Sequence, residues 1–437
     1  MKTWRMSIAL MLVITSIIVL FAFTFRRAES VRKKTAFVPP KGCVFRTIMG
    51  EESSDQHFIH KTPENVQRAV DHGLTWIVEA QQTNGGWGAG SHQRQNIINP
   101  HDVETDPATT AMVAMAMLRS GTTLSAGDYS QNLRKALNHL LHAVETSQPG
   151  SPNITTQTGT QIQTKLGSNI DVILTSQFLS NIQPHLDHEP RLKARVKKCQ
   201  DICVEKIQGA QDVNGSIAGS GWAGVLQSSF ATNALEAAEA NGTTVDKKAL
   251  EKARKFQQNN YNTKTGDVNT DLGAGIVLYS VTGSVRASAK EARRVDEEVA
   301  KAKREGKLSQ NAAPSAENLQ KIGFEKDDAL QSATAYQVYQ SAKVEAQRED
   351  VMNGFGNNGG EEFLSYLQTG ESMIINKDDS WENWYNNVSG RLLKIQNNDG
   401  SWQGHHCITS PVFCTATCLL ILSVNNDVKN LIEMGGK

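Results

Sequence analysis

Apolar and polar positions follow two kinds of helical pattern along the chain. In VQRAVDHGLTWIVEAQ (66–81), apolar residues recur at about i, i+3, i+4 and i+7, which is typical of a helix that buries one face. In DPATTAMVAMAMLRSG (106–121), small apolar residues cover nearly the whole surface, and such a helix is expected to be buried all round. The same succession of an amphipathic and a small-residue segment returns at 191–242, 247–283 and 381–424.

A short turn motif joins the two kinds of segment. It reads QQTNGGW at 81–87, QDVNGSI at 211–217 and QNNDGSW at 396–402. Asn-Gly or Asp-Gly tolerates the left-handed backbone conformation that ends a helix, and the Trp or Ile that follows can pack back on the helix end. We therefore expect structural roles for Gln81, Gly85, Trp87, Gln211, Gly215, Gln396, Gly400 and Trp402.

Helix hairpins of this kind cannot bury their apolar faces alone, so they must stack. An open solenoid and a closed double ring would both satisfy them, and the very small residues of the second helices favour the closed ring. We predict an all-α fold, an α/α toroid of five to seven helix hairpins. Its predicted parts are repeats at 61–285, a charged helical insertion at 286–350 and C-terminal repeats at 351–437.

The glutamine–glycine–tryptophan turn, followed by an inner helix rich in Thr and Ala, resembles the repeat of the squalene–hopene cyclase and protein prenyltransferase β-subunit superfamily. The similarity covers most of residues 65–425. The resemblance implies the α/α-toroid fold, a barrel of inner helices with a deep central cavity that accepts isoprenoids in the family. It also implies that the turn residues tie helix ends together.

The N-terminal 60 residues follow neither helical pattern. Residues 7–25 (SIALMLVITSIIVLFAFTF) carry no charge, and at about 1.5 Å per residue they are just long enough to span a bilayer core. We predict a transmembrane or signal-anchor helix within residues 1–29, followed by a tether at 30–60. A cleaved signal peptide is the alternative, although FAFTFRRAES offers no convincing small-x-small cleavage site.

Basic residues flank the predicted anchor on both sides. Lys2 and Arg5 favour a cytoplasmic N-terminus, whereas Arg26, Arg27 and Arg32 favour a cytoplasmic body. Because a segment this close to the N-terminus usually acts as an export signal, we expect a body on the periplasmic or extracellular side. A cytoplasmic-facing body is the alternative.

Composition narrows the range of partners. Lys+Arg and Asp+Glu are both 45, so the chain has no net basic charge of the kind that nucleic acid binding needs. The expected partners are the membrane, through residues 7–25, and an isoprenoid or lipid ligand or a protein. Aromatic residues make up only 6% of the chain, which argues against a cyclase because cyclases stabilise carbocations with aromatic faces.

The sequence contains neither of the two catalytic motifs of the superfamily that it resembles. A cyclase acid requires an Asp-rich D-x-D-D motif, and a prenyltransferase requires a D-x-C element with His to hold zinc. The link GSHQRQNIINPHDVETDP (90–107) offers Asp102 and Asp106 as acidic candidates, with His101 beside them. Asp106 before Pro107 is also a good N-cap of the helix that follows.

The densest group of potential ligands is GHHCITSPVFCTATC (404–418). His405, His406 and Cys407 are candidate zinc ligands, since imidazole and thiolate together suit Zn²⁺. A Cys407–Cys414 disulfide in an exported body and ordinary packing of buried thiols are the alternatives. The spacing is not that of a zinc finger, so we predict no cofactor and expect no metal, with zinc as the alternative.

The missing motifs predict a ligand-binding or scaffolding toroid rather than a cyclase or prenyltransferase. The alternative is an isoprenoid-metabolising enzyme with a non-standard active site at Asp102, Asp106 or His405. A third hypothesis is a membrane protein that acts through its charged insertion, residues 286–350. The sequence leaves open whether the protein is an enzyme.

Overall fold

The computed structural model describes residues 62–356 and 358–434, and this part of the chain is all-helical, as predicted. The α-helices are α1 (Glu64–Glu79), α2 (Pro107–Arg119), α3 (Ser130–Glu145), α4 (Gln161–Leu166), α5 (Ile170–Ile182), α6 (Pro190–Gly209), α7 (Gly224–Ala240), α8 (Lys247–Gln258), α9 (Val277–Arg304), α10 (Ala316–Lys321), α11 (Lys326–Ala346), α12 (Glu349–Met352), α13 (Gly360–Asn376), α14 (Trp381–Lys394), α15 (Pro411–Leu422) and α16 (Val428–Met434). Short 3₁₀ helices lie at His92–Arg94, Pro100–Asp102, Gln183–Leu186 and Val424–Asp427. The predicted membrane anchor and tether, residues 1–60, lie outside the described residues.

The inner helices of the fold are α2, α5, α7, the first half of α9, α13 and α15. Every residue of α2 and of α15 is buried, as the small-residue pattern predicts. Helix α2 contacts α5, α5 contacts α7, and the contacts continue through α9, α13 and α15 back to α2. The order of contacts among these helices is therefore cyclic.

The outer helices α1, α3, α6, α8, α11 and α14 each bury one side against the inner helices. In α3 the buried residues recur at helical spacing, from Leu133 through Leu137 and Leu140 to Val144. Helix α3 packs on α2, α8 on α7 and α9, and α14 on α13 and α15. The amphipathic segments of the sequence are thus the outer members of the hairpins.

The charge-dense range 286–350 contains the end of α9, α10 and α11. Helix α9 runs without interruption across the predicted boundary at 285/286, and it packs along α11. Beyond the main core, Val295 and Val299 of α9 join Leu319 of α10 and Ala329 of α11 in a second, smaller core. The charged stretch therefore buries apolar residues of its own.

None of the helices in the described residues is by itself long and apolar enough to cross a membrane. One bent pair, Pro411–Leu422 with Val424–Met434, meets at 61° and passes the same test by length and composition.

The three turn motifs have one hydrogen-bond geometry. Gln81 Nε2 donates to the Gly85 carbonyl of its own turn (2.8 Å) and to the Asn132 carbonyl of α3, the next outer helix (3.0 Å). Gln211 likewise donates to its own turn and to the Ala249 carbonyl of α8 (2.9 Å). Each of these glutamines therefore ties its hairpin to the following one.

The third turn joins the last hairpin to the first. Gln396 Nε2 donates to the Gly400 carbonyl (2.9 Å) and to the Ala69 carbonyl of α1 (2.9 Å). Because α1 is the outer helix of the first hairpin, the last turn bonds to the first hairpin just as the earlier turns bond to their successors.

Glycine completes each turn, and tryptophan follows it in the first and third turns. Gly85 has φ +87°, and a Cβ atom there would lie 2.8 Å from the Lys135 carbonyl oxygen, so the position favours glycine. Trp87 is fully buried and its Nε1 donates to the Ile77 carbonyl (2.7 Å). Trp402 repeats this bond to the Leu392 carbonyl (2.8 Å), which anchors each indole to the helix that it follows.

Replacing the turn tryptophans should destabilise the fold. Trp87→Ala and Trp402→Ala each remove a fully buried indole, and we expect each to lower the free energy of unfolding by about 3 to 5 kcal/mol. Denaturant unfolding followed by circular dichroism measures this. Trp222→Ala is the control, because that ring is 63% exposed. Equal stability of all three variants would contradict the packing role.

Replacing Gln396 should weaken the contact between the last and the first hairpin. Gln396→Ala loses two hydrogen bonds, so we expect a loss of about 1 to 3 kcal/mol and faster amide exchange in α1. Gln347→Ala is the matched control, because the Gln347 side chain donates to the Lys343 carbonyl at the end of α11 and joins no two hairpins. Unchanged exchange in α1, measured by mass spectrometry, would show that the bond does not hold this contact.

Candidate functional site

The links from outer to inner helices meet at one end of the molecule, which we call the link end. It comprises the segments 80–106, 147–169, 210–223, 259–276, 347–356, 358–359 and 395–410. Helix α4 lies across it. Gln161 Nε2 donates to the Ala89 carbonyl (2.9 Å), and its Oε1 accepts from the Thr409 amide (2.8 Å), so one side chain joins the first and last links.

The two acidic candidates of the first link occupy different environments. Asp102 is exposed in a 3₁₀ helix and accepts from Asn99 Nδ2 (2.8 Å). Asp106 is fully buried and caps α2, accepting from the Thr109 amide (2.7 Å), the Thr109 hydroxyl (2.9 Å) and the Ala89 amide (2.8 Å). Both carboxylate oxygens of Asp106 are thus engaged in holding the link to the helix, as the N-cap interpretation predicts.

A second buried carboxylate, Asp171 of α5, lies beside Asp106. It accepts from the Ala108 amide (3.1 Å) and from Gln163 Nε2 (2.8 Å). Burial and the neighbouring Asp171 raise the pKa of Asp106 to about 7, against the lowering effect of its hydrogen bonds. The sequence analysis missed Asp171, although an Asp within the apolar run NIDVIL was a signal.

The His-Cys stretch contributes one side chain to a buried polar cluster. His406 Nε2 lies 3.5 Å from Glu362 Oε2 at the start of α13. The other oxygen of Glu362 accepts from the Tyr279 hydroxyl (2.5 Å) and the Phe355 amide (2.9 Å). Glu362 is fully buried, and its Oε2 has no hydrogen-bond donor among the described residues.

The neighbouring acid Glu361 is also buried. Its Oε2 accepts from the Ile408 amide (3.3 Å). Burial, reinforced by the adjacent Glu362, raises the pKa of Glu361 to about 8. Burial lowers the pKa of His406 and raises the pKa of the Cys407 thiol to about 11. At neutral pH, Glu361 therefore holds its proton and Cys407 is a thiol rather than a thiolate.

The other candidates of the stretch have no hydrogen bond to Glu362 among the described residues. His405 is exposed, and its ring meets that of His406 edge-on at 4.7 Å. Cys407 and Cys414 are both free thiols, so the structure does not contain the disulfide of the sequence analysis. In residues 62–356 and 358–434, no group of three or more His, Cys, Asp or Glu side chains is placed to hold a metal ion.

Glycines allow the preceding link to cover the Glu362–His406 pair closely. A Cβ atom at Gly354 would lie 2.5 Å from Glu362 Oε1, and one at Gly359 would lie 2.6 Å from His406 Cε1. The Phe355 ring packs edge-on against His406 at 5.3 Å and remains 62% exposed. Any side chain larger than hydrogen at these glycines would displace the pair.

Large apolar side chains are exposed on several links. They all belong to segments of the link end: Ile98, Val213, Trp222, Leu272 and Phe355. Lys165 of α4 places its Nζ 3.9 Å from the centre of the Trp222 ring. Exposed aromatic groups beside a desolvated polar cluster are typical of binding surfaces.

The sequence analysis missed Glu361, Glu362, Tyr279 and Lys165. The signal for the first two was GGEEF, two adjacent acids that directly precede the apolar residues Phe363 and Leu364. Compared with protein-family models and with curated proteins, the sequence gives no match.

The raised pKa of Glu361 makes stability depend on pH. Between its ordinary value of 4.5 and about 8, the folded protein holds a proton that the unfolded chain has released. The free energy of unfolding should therefore fall with rising pH, by up to about 1.4 kcal/mol per pH unit from this group. Glu361→Gln removes this contribution, so the variant should be more stable than the parent at pH 9, with the difference shrinking toward pH 5.

Urea unfolding at pH 5, 7 and 9 measures the effect. Glu298→Gln is the control, because Glu298 is exposed on α9. Parallel pH profiles for the parent and Glu361→Gln would contradict a proton held on Glu361.

Proposed function

We propose that the chain is an α/α toroid of the squalene–hopene cyclase and prenyltransferase repeat architecture, with an inner and an outer ring of six helices each. The cyclic order of contacts supports this, because the terminal hairpins of an open solenoid do not touch. The bond from Gln396 to Ala69 supports the same closure. The shared turn geometry at Trp87 and Trp402 supports kinship with that superfamily.

The toroid is proposed to be anchored in a membrane by residues 7–25, with its body exported. The uncharged length of that segment supports the anchor. Protease accessibility of the body in intact cells tests the orientation, and full protection would favour the cytoplasmic-facing alternative.

The proposed activity is binding or scaffolding at the link end, rather than cyclisation or prenyl transfer. One observation carries it: within the described residues, the facing atoms of Glu362 and His406 lack hydrogen-bond partners, and the exposed Phe355 ring packs against His406. A molecule that offers an apolar body and a hydrogen-bond donor would contact the apolar side chains and satisfy Glu362 Oε2. Asp106, by contrast, has its oxygens engaged in local structure.

Native mass spectrometry of the full chain, beside its denatured mass, tests this proposal. We expect an excess in the native mass that is lost on denaturation, of several hundred daltons for a lipid-like or isoprenoid ligand and larger for a protein partner. Trp222→Ser and Phe355→Ser should reduce the excess, whereas Val344→Ser, an equally exposed site on α11, should not. An excess equal to one zinc ion would contradict binding and favour metal at His406 and Cys407.

The second candidate function is an isoprenoid-metabolising enzyme with Glu361 as its acid. The observation that favours it is the proton that Glu361 holds at neutral pH, since a protonated carboxyl is what alkene protonation requires. Turnover of an isoprenoid substrate that is lost in Glu361→Gln and retained in Glu298→Gln would establish it. Absence of turnover in the parent chain would leave the binding function.

A further inference from the structure

A second feature lies at the opposite end of the molecule, where the inner helices finish. There α16 covers a small cavity of about 50 Å³, which we call the axial cavity. Its apolar lining comes from four inner helices: Met112, Met115, Phe230, Leu367 and Leu420. The cavity does not involve any residue of the link-end cluster.

Polar atoms without partners converge on the axial cavity. Within residues 62–356 and 358–434, neither Asn233 Oδ1 nor Asn233 Nδ2 makes a hydrogen bond, and that side chain is 4% exposed. Gln177 Oε1 and Arg286 Nε are buried and unpartnered as well, and all three residues line this cavity. Each unsatisfied buried polar group costs about 1 to 3 kcal/mol. Three helices, α5, α7 and α9, each contribute one of these residues, which is the arrangement of a binding site rather than of a packed core.

The axial cavity is too small for an organic ligand. Its volume of about 50 Å³ accommodates water, whose share of liquid volume is about 30 Å³. Ligand pockets typically enclose about 300 to 1,000 Å³. A larger molecule can therefore enter only if the covering helix α16 moves away.

The attachment of α16 allows such a movement. Asp427, just before α16, pairs with Arg119 (2.9 Å), and the Ile432 carbonyl accepts from Arg293 (2.6 Å). Each arginine has a second partner in the body: Arg119 pairs with Glu371 (2.7 Å), and Arg293 pairs with Glu297 (2.9 Å).

Breaking a buried ion pair is usually costly because it leaves an unpaired buried charge. Release of α16 avoids this cost, since each arginine keeps its second partner. Apolar packing of Val428, Leu431 and Ile432, with Met434 beside them, also holds α16.

We propose that the axial cavity binds a molecule with an apolar body and a hydroxyl head group, and that α16 is the plug that closes it. The head group must face two donors, Asn233 Nδ2 and Arg286 Nε, and two acceptors, Asn233 Oδ1 and Gln177 Oε1. A hydroxyl both donates and accepts, whereas a carboxylate can only accept. Only molecules with an open plug can bind. The apparent affinity of the full chain is therefore the affinity of the open form multiplied by the fraction of molecules in which the plug is open.

The test compares 1-decanol with decanoic acid by isothermal titration calorimetry. Leu431→Ser weakens the plug and should bind 1-decanol at least tenfold more tightly than the parent chain does, with decanoic acid bound more weakly. Leu330→Ser is the matched control, because Leu330 is 61% exposed on α11, and it should bind as the parent does. A chain that ends at Ser423 gives a second version of the open state.

A further variant tests the head group. Asn233→Leu in the Leu431→Ser background should lose the preference for 1-decanol over decanoic acid. Two results would overturn the proposal: no binding by a natively folded Leu431→Ser protein, and equal binding by Leu431→Ser and the parent chain. Either would assign the unpartnered atoms to enclosed water alone. Circular dichroism and melting establish that each variant is folded, and if the shortened chain unfolds, the substitution alone decides.

Discussion

The fold depends on one side-chain amide that makes two bonds. A glutamine Nε2 carries two hydrogens, and in each repeat turn one goes to the turn's own glycine carbonyl and the other to the next outer helix. The missing Cβ at Gly85 lets the next helix come within reach of that amide. The two bonds fix the register between hairpins, and this register brings the inner-helix N-termini together at the link end. His406 of the Glu362–His406 pair lies on one of these links, the one that follows Gln396.

Sequence reasoning predicts those parts of the fold that are locally encoded. The outer and inner helices follow from apolar spacing, and Trp87 folds back on its helix as the turn chemistry predicts. The partners of the glutamines could not be predicted, because Asn132 is 51 residues from Gln81 and Ala69 is 327 residues from Gln396. High charge density in 286–350 likewise masks the apolar positions at which α9 and α11 form their own core.

The candidate site shows the same division between local and distant information. Asp106 as an N-cap is a local property of Asp-Pro before a helix, and the sequence predicts it. The surroundings of Glu362 are not local, since Tyr279, Phe355 and His406 come from three separate segments. The sequence makes His405 and His406 equal candidates. Only the folded conformation of the link determines which ring faces the interior. A polar residue in a helix that is buried nearly all round, such as Glu362 or Asn233, is the better sequence signal for a functional site. Burial is costly for such a residue unless it has a hydrogen-bond partner in the protein or in a ligand.

Closure through Gln396 and Ala69 also constrains how the protein is made. Helix α1 is synthesised before the other described helices, but two of the helices that it contacts, α14 and α15, are among the last. Its buried face, which includes Leu74, lacks these contacts until nearly the whole chain is present. Contacts of such long sequence separation form late and slowly. The apolar face of this amphipathic helix is therefore incompletely covered during most of synthesis, and a chaperone that holds the first hairpin would act at that step.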